Sequence, residues 1–87
     1  MDSERIKMHK QAKKYFDKLD TNTKERIKEG IKGLLKIPPA GNIKELKGEF
    51  KGLSRLQIGD FRIIFLTDGE LIKITNILPR GDVYKRI

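Results

Sequence analysis

The sequence predicts an α+β domain: two N-terminal helices packed on one face of a small, mainly antiparallel four-stranded sheet, in the order β-α-α-β-β-β. Three observations carry this. Apolar residues recur at helical spacing through the first part of the chain, and from Leu53 onward the period shortens to two. The dipeptides Gly59-Asp60 and Asp68-Gly69 then cut that second part into segments of hairpin length.

The opening "RIKMHK" alternates, with Ile6 and Met8 on one side, and reads as a short first strand. In "KQAKKYFDKL" the residues Ala12, Tyr15, Phe16 and Leu19 fall at i, i+3, i+4 and i+7, which makes an amphipathic helix. "DTNTKE" is rich in cap formers, and Asn22 with Glu25 has capping-box spacing for a second helix. That helix carries Ile27, Ile31, Leu34 and Leu35 on one stripe. Gly30 and Gly33 inside it each cost about 1 kcal/mol relative to alanine, in keeping with close packing against a sheet or a partner helix. Pro38 and Pro39 end it, because proline disfavours helical geometry in the residue before it.

"AGNIKELKGEFKG" reads as a loop with apolar anchors at Ile43, Leu46 and Phe50. "LSRLQI", "FRIIFL" and "ELIKITNIL" are strands, and Pro79 stops the last because it has no N–H for the ladder. Two tight turns make these three strands antiparallel neighbours. The first strand adds to the same sheet, and both helices share one face.

With 87 residues, 37% of them hydrophobic, the chain forms a single domain over 1–87, since smaller pieces could not bury a core. It holds no internal repeat, low-complexity run or linker. The absence of cysteine excludes disulfides, thiolate metal sites and a thiol nucleophile. His9 is the lone histidine, and zinc sites need several nitrogen or sulfur ligands. No glycine-rich phosphate loop is present. Asp60, Asp68, Glu70 and Asp82 fall in turns or the tail. No metal or cofactor is therefore expected. No apolar run is long enough to span a membrane, the charged start does not read as a signal peptide, and a cytoplasmic protein is expected.

Charge is the strongest clue to partners. Twenty Lys+Arg against twelve Asp+Glu leave +8. A small domain this basic is expected to meet a polyanion: nucleic acid, an anionic membrane surface or an acidic protein. A lysine-rich solubilising surface is the plainer alternative. Residues 1–51 carry most of the lysines, whereas Arg55, Arg62, Arg80 and Arg86 dominate beyond. Arginine presents a planar fork that grips phosphate with two hydrogen bonds, so the second half reads as the working half. Arg55 lies mid-strand and Arg62 just past the tight turn, which brings the two guanidiniums near one another. Lys73 follows in the last strand, Arg80 just beyond it, and Tyr84 four residues later, where a phenol can stack on a base or donate a hydrogen bond. Lys51, Lys85 and Arg86 add positive charge suited to RNA. Ordinary pairing of each arginine with a surface carboxylate is the competing reading.

"RLQIGDFRIIF" resembles the central hairpin motif of the RelE/ParE superfamily of type II toxins, and "LPRGDVYKR" resembles the Arg-Gly-x-x-Tyr-Lys ending of its RelE members. "HKQAKKYFDKLD" and "IKELKG" are similar to the first helix and to the segment before the second strand. The resemblance covers almost the whole chain. It implies a ribosome-dependent, metal-independent endoribonuclease that cuts messenger RNA in the A site, the ribose 2′-OH attacking its own 3′ phosphate. By position, the resemblance assigns Arg62 to the scissile phosphate, Arg80 to the transition state or leaving group, and Tyr84 to the substrate nucleotide. Arg55 contributes positive charge. Leu53 and Gln57 depart from the motif, where some members have lysine and arginine, and the group that takes the 2′-OH proton is left open between Tyr84, the ribosome and Lys51. The resemblance also implies a RelB-like antitoxin, the ribosome and messenger RNA as partners, and operator DNA only through the antitoxin complex. The alternatives within the superfamily are a ParE-like gyrase poison with no enzymatic activity, and a catalytically degenerate member acting only with its antitoxin.

Overall fold

Eight short elements follow one another: β1 (Ile6–Met8), α1 (Lys10–Asp17), α2 (Thr21–Gly33), β2 (Asn42–Glu45), a 3-10 turn (Gly48–Phe50), β3 (Ser54–Ile58), β4 (Phe61–Asp68) and β5 (Leu71–Pro79). The computed structural model describes residues 5–79. The strands form one sheet in the order β1-β5-β4-β3-β2. β1 runs parallel to β5, and every other pairing is antiparallel.

The α+β class and the layering are as the sequence predicts. Ala12 from α1 and Ile27 and Ile31 from α2, with Leu34, pack against Leu56, Ile63, Phe65, Ile72, Ile74 and Ile77 from the sheet. Ile27, Ile31, Ile63 and Ile74 have no solvent contact at all. Fully burying an isoleucine is worth roughly 1.5–3 kcal/mol, so this layer is the main source of stability.

The sheet has five strands rather than four. Asn42–Glu45, expected as loop, pairs with β3 and sets Ile43 across from Leu56. Only Ile43 of these four residues is half-buried, the others being exposed. A polar edge strand of this kind has no alternating apolar pattern to read, and its pairing comes from the neighbour it meets.

Three boundaries also move. The second helix is capped by Asp20, not Asn22: the Thr23 backbone N–H donates to Asp20 Oδ2 at 3.3 Å, and the Thr23 hydroxyl donates to the same carboxylate. These bonds, the hydroxyl first, hold the Asp20 carboxyl below its ordinary range. The helix ends at Gly33, ahead of the prolines, because the chain doubles back and the Ala40 N–H donates to the Gly33 carbonyl at 2.8 Å. Leu34 and Leu35 lie past the helix yet still pack on the core, as Leu19 does after α1. The last hairpin turns at Gly69-Glu70, with Asp68 still paired to Leu71.

The choice left open for Gly30 falls to the sheet. A Cβ there would run into the side chain of Ile58 on β3, so glycine lets α2 sit directly on the strand.

Candidate functional site

The candidate site grows out of the β3–β4 hairpin. Ile58 pairs with Phe61, leaving the two-residue turn Gly59-Asp60. Gly59 takes a φ of 56°, which side chains rarely adopt, and a Cβ there would overlap the Arg26 guanidinium. So tight a turn leaves the register of the hairpin no freedom.

Register then decides the faces. Leu56 pairs with Ile63, and both enter the helix-covered core. Since side chains alternate along a strand, Arg55 and Gln57 on β3 and Arg62 and Ile64 on β4 point to the opposite face. Gln57 stands across from Arg62, and Arg55 across from Ile64. The two arginines are thus diagonal neighbours on one face, with Cα atoms about 7–8 Å apart.

Both side chains are half-buried. Arg55 Nε, Arg62 Nε and Arg62 Nη1 have no solvent contact and no hydrogen-bond partner among the described residues. No ion pair among the described residues involves either arginine, so the competing carboxylate pairing does not occur there. A buried donor left unpaired costs about 1–3 kcal/mol, more when it is charged. A phosphate brought to this face would stand beside two guanidiniums whose Nε and Nη1 atoms are held out of water.

The other expected residues are placed differently. Lys73 points to the same face but sits across from Leu66, four residues along β4 from Arg62, or about 13 Å at 3.3 Å per residue. Its ammonium is bound to Asp68 Oδ2 at 3.1 Å. Lys51 is exposed, follows the 3-10 turn, and lines a shallow cleft with Glu45, Leu46, Ser54 and Thr67, at the end of β3 remote from the hairpin turn. β3 begins at Ser54, so Lys51 is not on the strand. Arg80, Tyr84, Lys85 and Arg86 lie outside the described residues.

One residue on this face escapes sequence reasoning. Asn76 is the buried polar residue of the described chain, and pairs with Ile64 beside Arg62's partner Leu78. By register it is a diagonal neighbour of Arg62, with Ile64 between it and Arg55. The available signal was an asparagine, a residue depleted from strands, inside "IKITNILP". Among the described residues, no group of three or more His, Asp or Glu stands where it could hold a metal ion.

Residues 6–84 match the family described as ParE toxin of the type II toxin-antitoxin system, parDE. The chain belongs to this family, and so is a type II toxin of the RelE/ParE superfamily. The tail motif resembles RelE and the matched family is ParE; the superfamily contains both. Solved structures share the fold. The chain is 21% identical to a chain of the RelB-RelE antitoxin-toxin complex of Methanococcus jannaschii, over 93% of this chain and 98% of that one, with a TM-score of 0.73. A copper-bound L66S mutant toxin from Helicobacter pylori is 22% identical over 92% and 98%, with a TM-score of 0.77. A chain of the heterotetrameric YoeB-YefM toxin-antitoxin complex of Staphylococcus aureus is 26% identical over 82% and 90%, with a TM-score of 0.68. Among curated proteins, none matches the sequence.

Proposed function

We propose that this toxin is a metal-independent endoribonuclease that cuts messenger RNA in the ribosomal A site. The observation that carries the reading is the pair Arg55 and Arg62, diagonal on one face, with three desolvated and unpaired guanidinium nitrogens. In-line attack of the 2′-OH builds negative charge on a pentacoordinate phosphate. Fixed cations aimed at that charge lower the barrier without any reorganisation at the moment of reaction. Both guanidiniums stay protonated, so they stabilise charge and do not take the 2′-OH proton. Arg62 meets the scissile phosphate, and Arg55 supplies further field from the neighbouring strand. Arg80 and Tyr84 take the roles that the RelE-like tail implies: charge or leaving-group stabilisation, and orientation of the nucleotide. The proton acceptor then comes from Tyr84 or from the ribosome.

The test is primer extension on messenger RNA in ribosomes exposed to wild type, Arg55→Ala or Arg62→Ala, alongside growth arrest. Loss of one such cation is expected to slow A-site cleavage on the order of a hundredfold. Undiminished cleavage by both variants overturns the reading.

The ParE description of the matched family favours a second reading, a gyrase poison without enzymatic activity. Inhibited DNA supercoiling with intact A-site messages would establish it. Under either reading we expect an antitoxin partner carrying an acidic, amphipathic segment that folds on binding. The solved toxin-antitoxin complexes with this fold support that expectation.

A further inference from the structure

The face that carries Arg55 and Arg62 has a second basic feature that the nuclease reading leaves unused. β1 lies parallel to β5, and the pairing sets Lys7 beside Lys73. Ile6, Ile72 and Ile74 all enter the core. The residues between them therefore point away from the helices, and Lys7 and Lys73 share the arginine face. Neighbouring strands are about 4.8 Å apart, so two lysines start side by side, a like-charge pairing that is unfavourable across a ladder.

The two lysines rim a cleft of about 270 Å³ whose other walls are Met8, His9, Leu66, Ile74 and Thr75. Leu66 gives the floor an apolar side chain, Ile74 and Met8 being turned to the core, and the rim is cationic. That combination receives a nucleotide, its sugar and base against the apolar floor and its phosphate at the rim. Lys73 already touches Asp68, but both groups are open to water, where such a pair is weak and a phosphate competes with it. Lys7 is exposed and takes part in no ion pair among the described residues.

We propose that Lys7 and Lys73 form a second phosphate-binding subsite, which holds the same RNA strand a few nucleotides away from the linkage at Arg55 and Arg62. The proposal rests on the reading of the arginine pair as an RNA site. Lys73 stands about 13 Å along the sheet from Arg62, a distance an extended single strand covers within a few nucleotides. The subsite positions the message and takes no part in bond cleavage.

Fluorescence anisotropy with labelled oligoribonucleotides of two and of six residues tests this at matched low salt. For the wild-type chain the hexanucleotide is expected to bind about tenfold tighter than the dinucleotide, the order of one charge-assisted contact. In Lys7→Gln/Lys73→Gln this length gain falls to near one. Lys32→Gln/Lys36→Gln, at and just past the end of α2, removes the same charge away from the face and keeps the gain. A length gain unchanged in the Lys7/Lys73 variant, or lost equally in the α2 variant, overturns the subsite and leaves the arginine site standing. Dinucleotide binding by Arg62→Ala as tight as wild type overturns the arginine reading instead. No measurable hexanucleotide binding by the wild type overturns the subsite outright.

Discussion

Replacing Arg62 by methionine is expected to stabilise the folded chain while it abolishes the proposed cleavage. Arg62 Nε and Nη1 are cut off from solvent without a partner among the described residues. Each such donor costs about 1–3 kcal/mol, so the low end for the two is about 2 kcal/mol. Methionine keeps most of the aliphatic stem and loses packing worth about one methylene, near 0.8 kcal/mol. The net gain is therefore about 1 kcal/mol. For a domain of this size it corresponds to a rise of about 4–8 °C in the thermal midpoint. Melting curves of wild type and Arg62→Met by circular dichroism, at equal salt and protein concentration, measure the difference directly. A midpoint at or below that of the wild type would mean that the guanidinium is satisfied in the resting protein. The claim that its donors wait for an anion would then fail. A variant both more stable and inactive would mark Arg62 as a residue retained for chemistry at the expense of the fold.

Other perturbations probe the framework. Asp20→Ala removes the α2 cap and lowers the thermal midpoint at neutral pH. Because folding depresses the Asp20 carboxyl below 3.8, the contribution is complete above that pH. The gap between wild type and variant should narrow as pH falls through the folded value, which melts between pH 7 and pH 2 would reveal. Gly30→Ala should destabilise in urea by about 1 kcal/mol: displacement of Ile58 costs about 1–3 kcal/mol and outweighs the roughly 1 kcal/mol gained in helix propensity. A more stable alanine variant would show that α2 does not rest on β3 at that point. Ile31→Ala, at a site with no solvent contact, should cost about 2–5 kcal/mol in the same titration.

The elements that sequence reading found are those whose signal is local. The helical stripes of α1 and α2 and the period-two runs of β3, β4 and β5 each report burial of one face, and one face is all a periodicity records. The convergence of Arg55 and Arg62 was legible for the same reason, since a two-residue turn fixes the register of its hairpin. β2 was not legible: "NIKE" has a single inward residue, and it is a strand because Leu56 and its neighbours offer an unpaired edge. The true cap is masked by a rival capping-box spacing two residues later, and the helix end by prolines that lie beyond the actual stop at Gly33. Strand membership alone groups Lys73 with the arginines. Its distance from them along the ladder, and its contact with Asp68, depend on pairings that sequence spacing does not specify.

Periodicity, turn chemistry and charge by themselves determined the α+β class, the three-stranded meander, the excess of cations and the arginine hairpin. Each of these arises from interactions between residues near in the chain. Tertiary structure alone decided that β1 enters parallel beside β5, that Lys7 thereby stands next to Lys73, that a fifth strand closes the far edge, and that three arginine nitrogens are buried without partners among the described residues. Those outcomes depend on which distant segments come to lie side by side and on what solvent they exclude. No window of sequence encodes that separately from the whole fold.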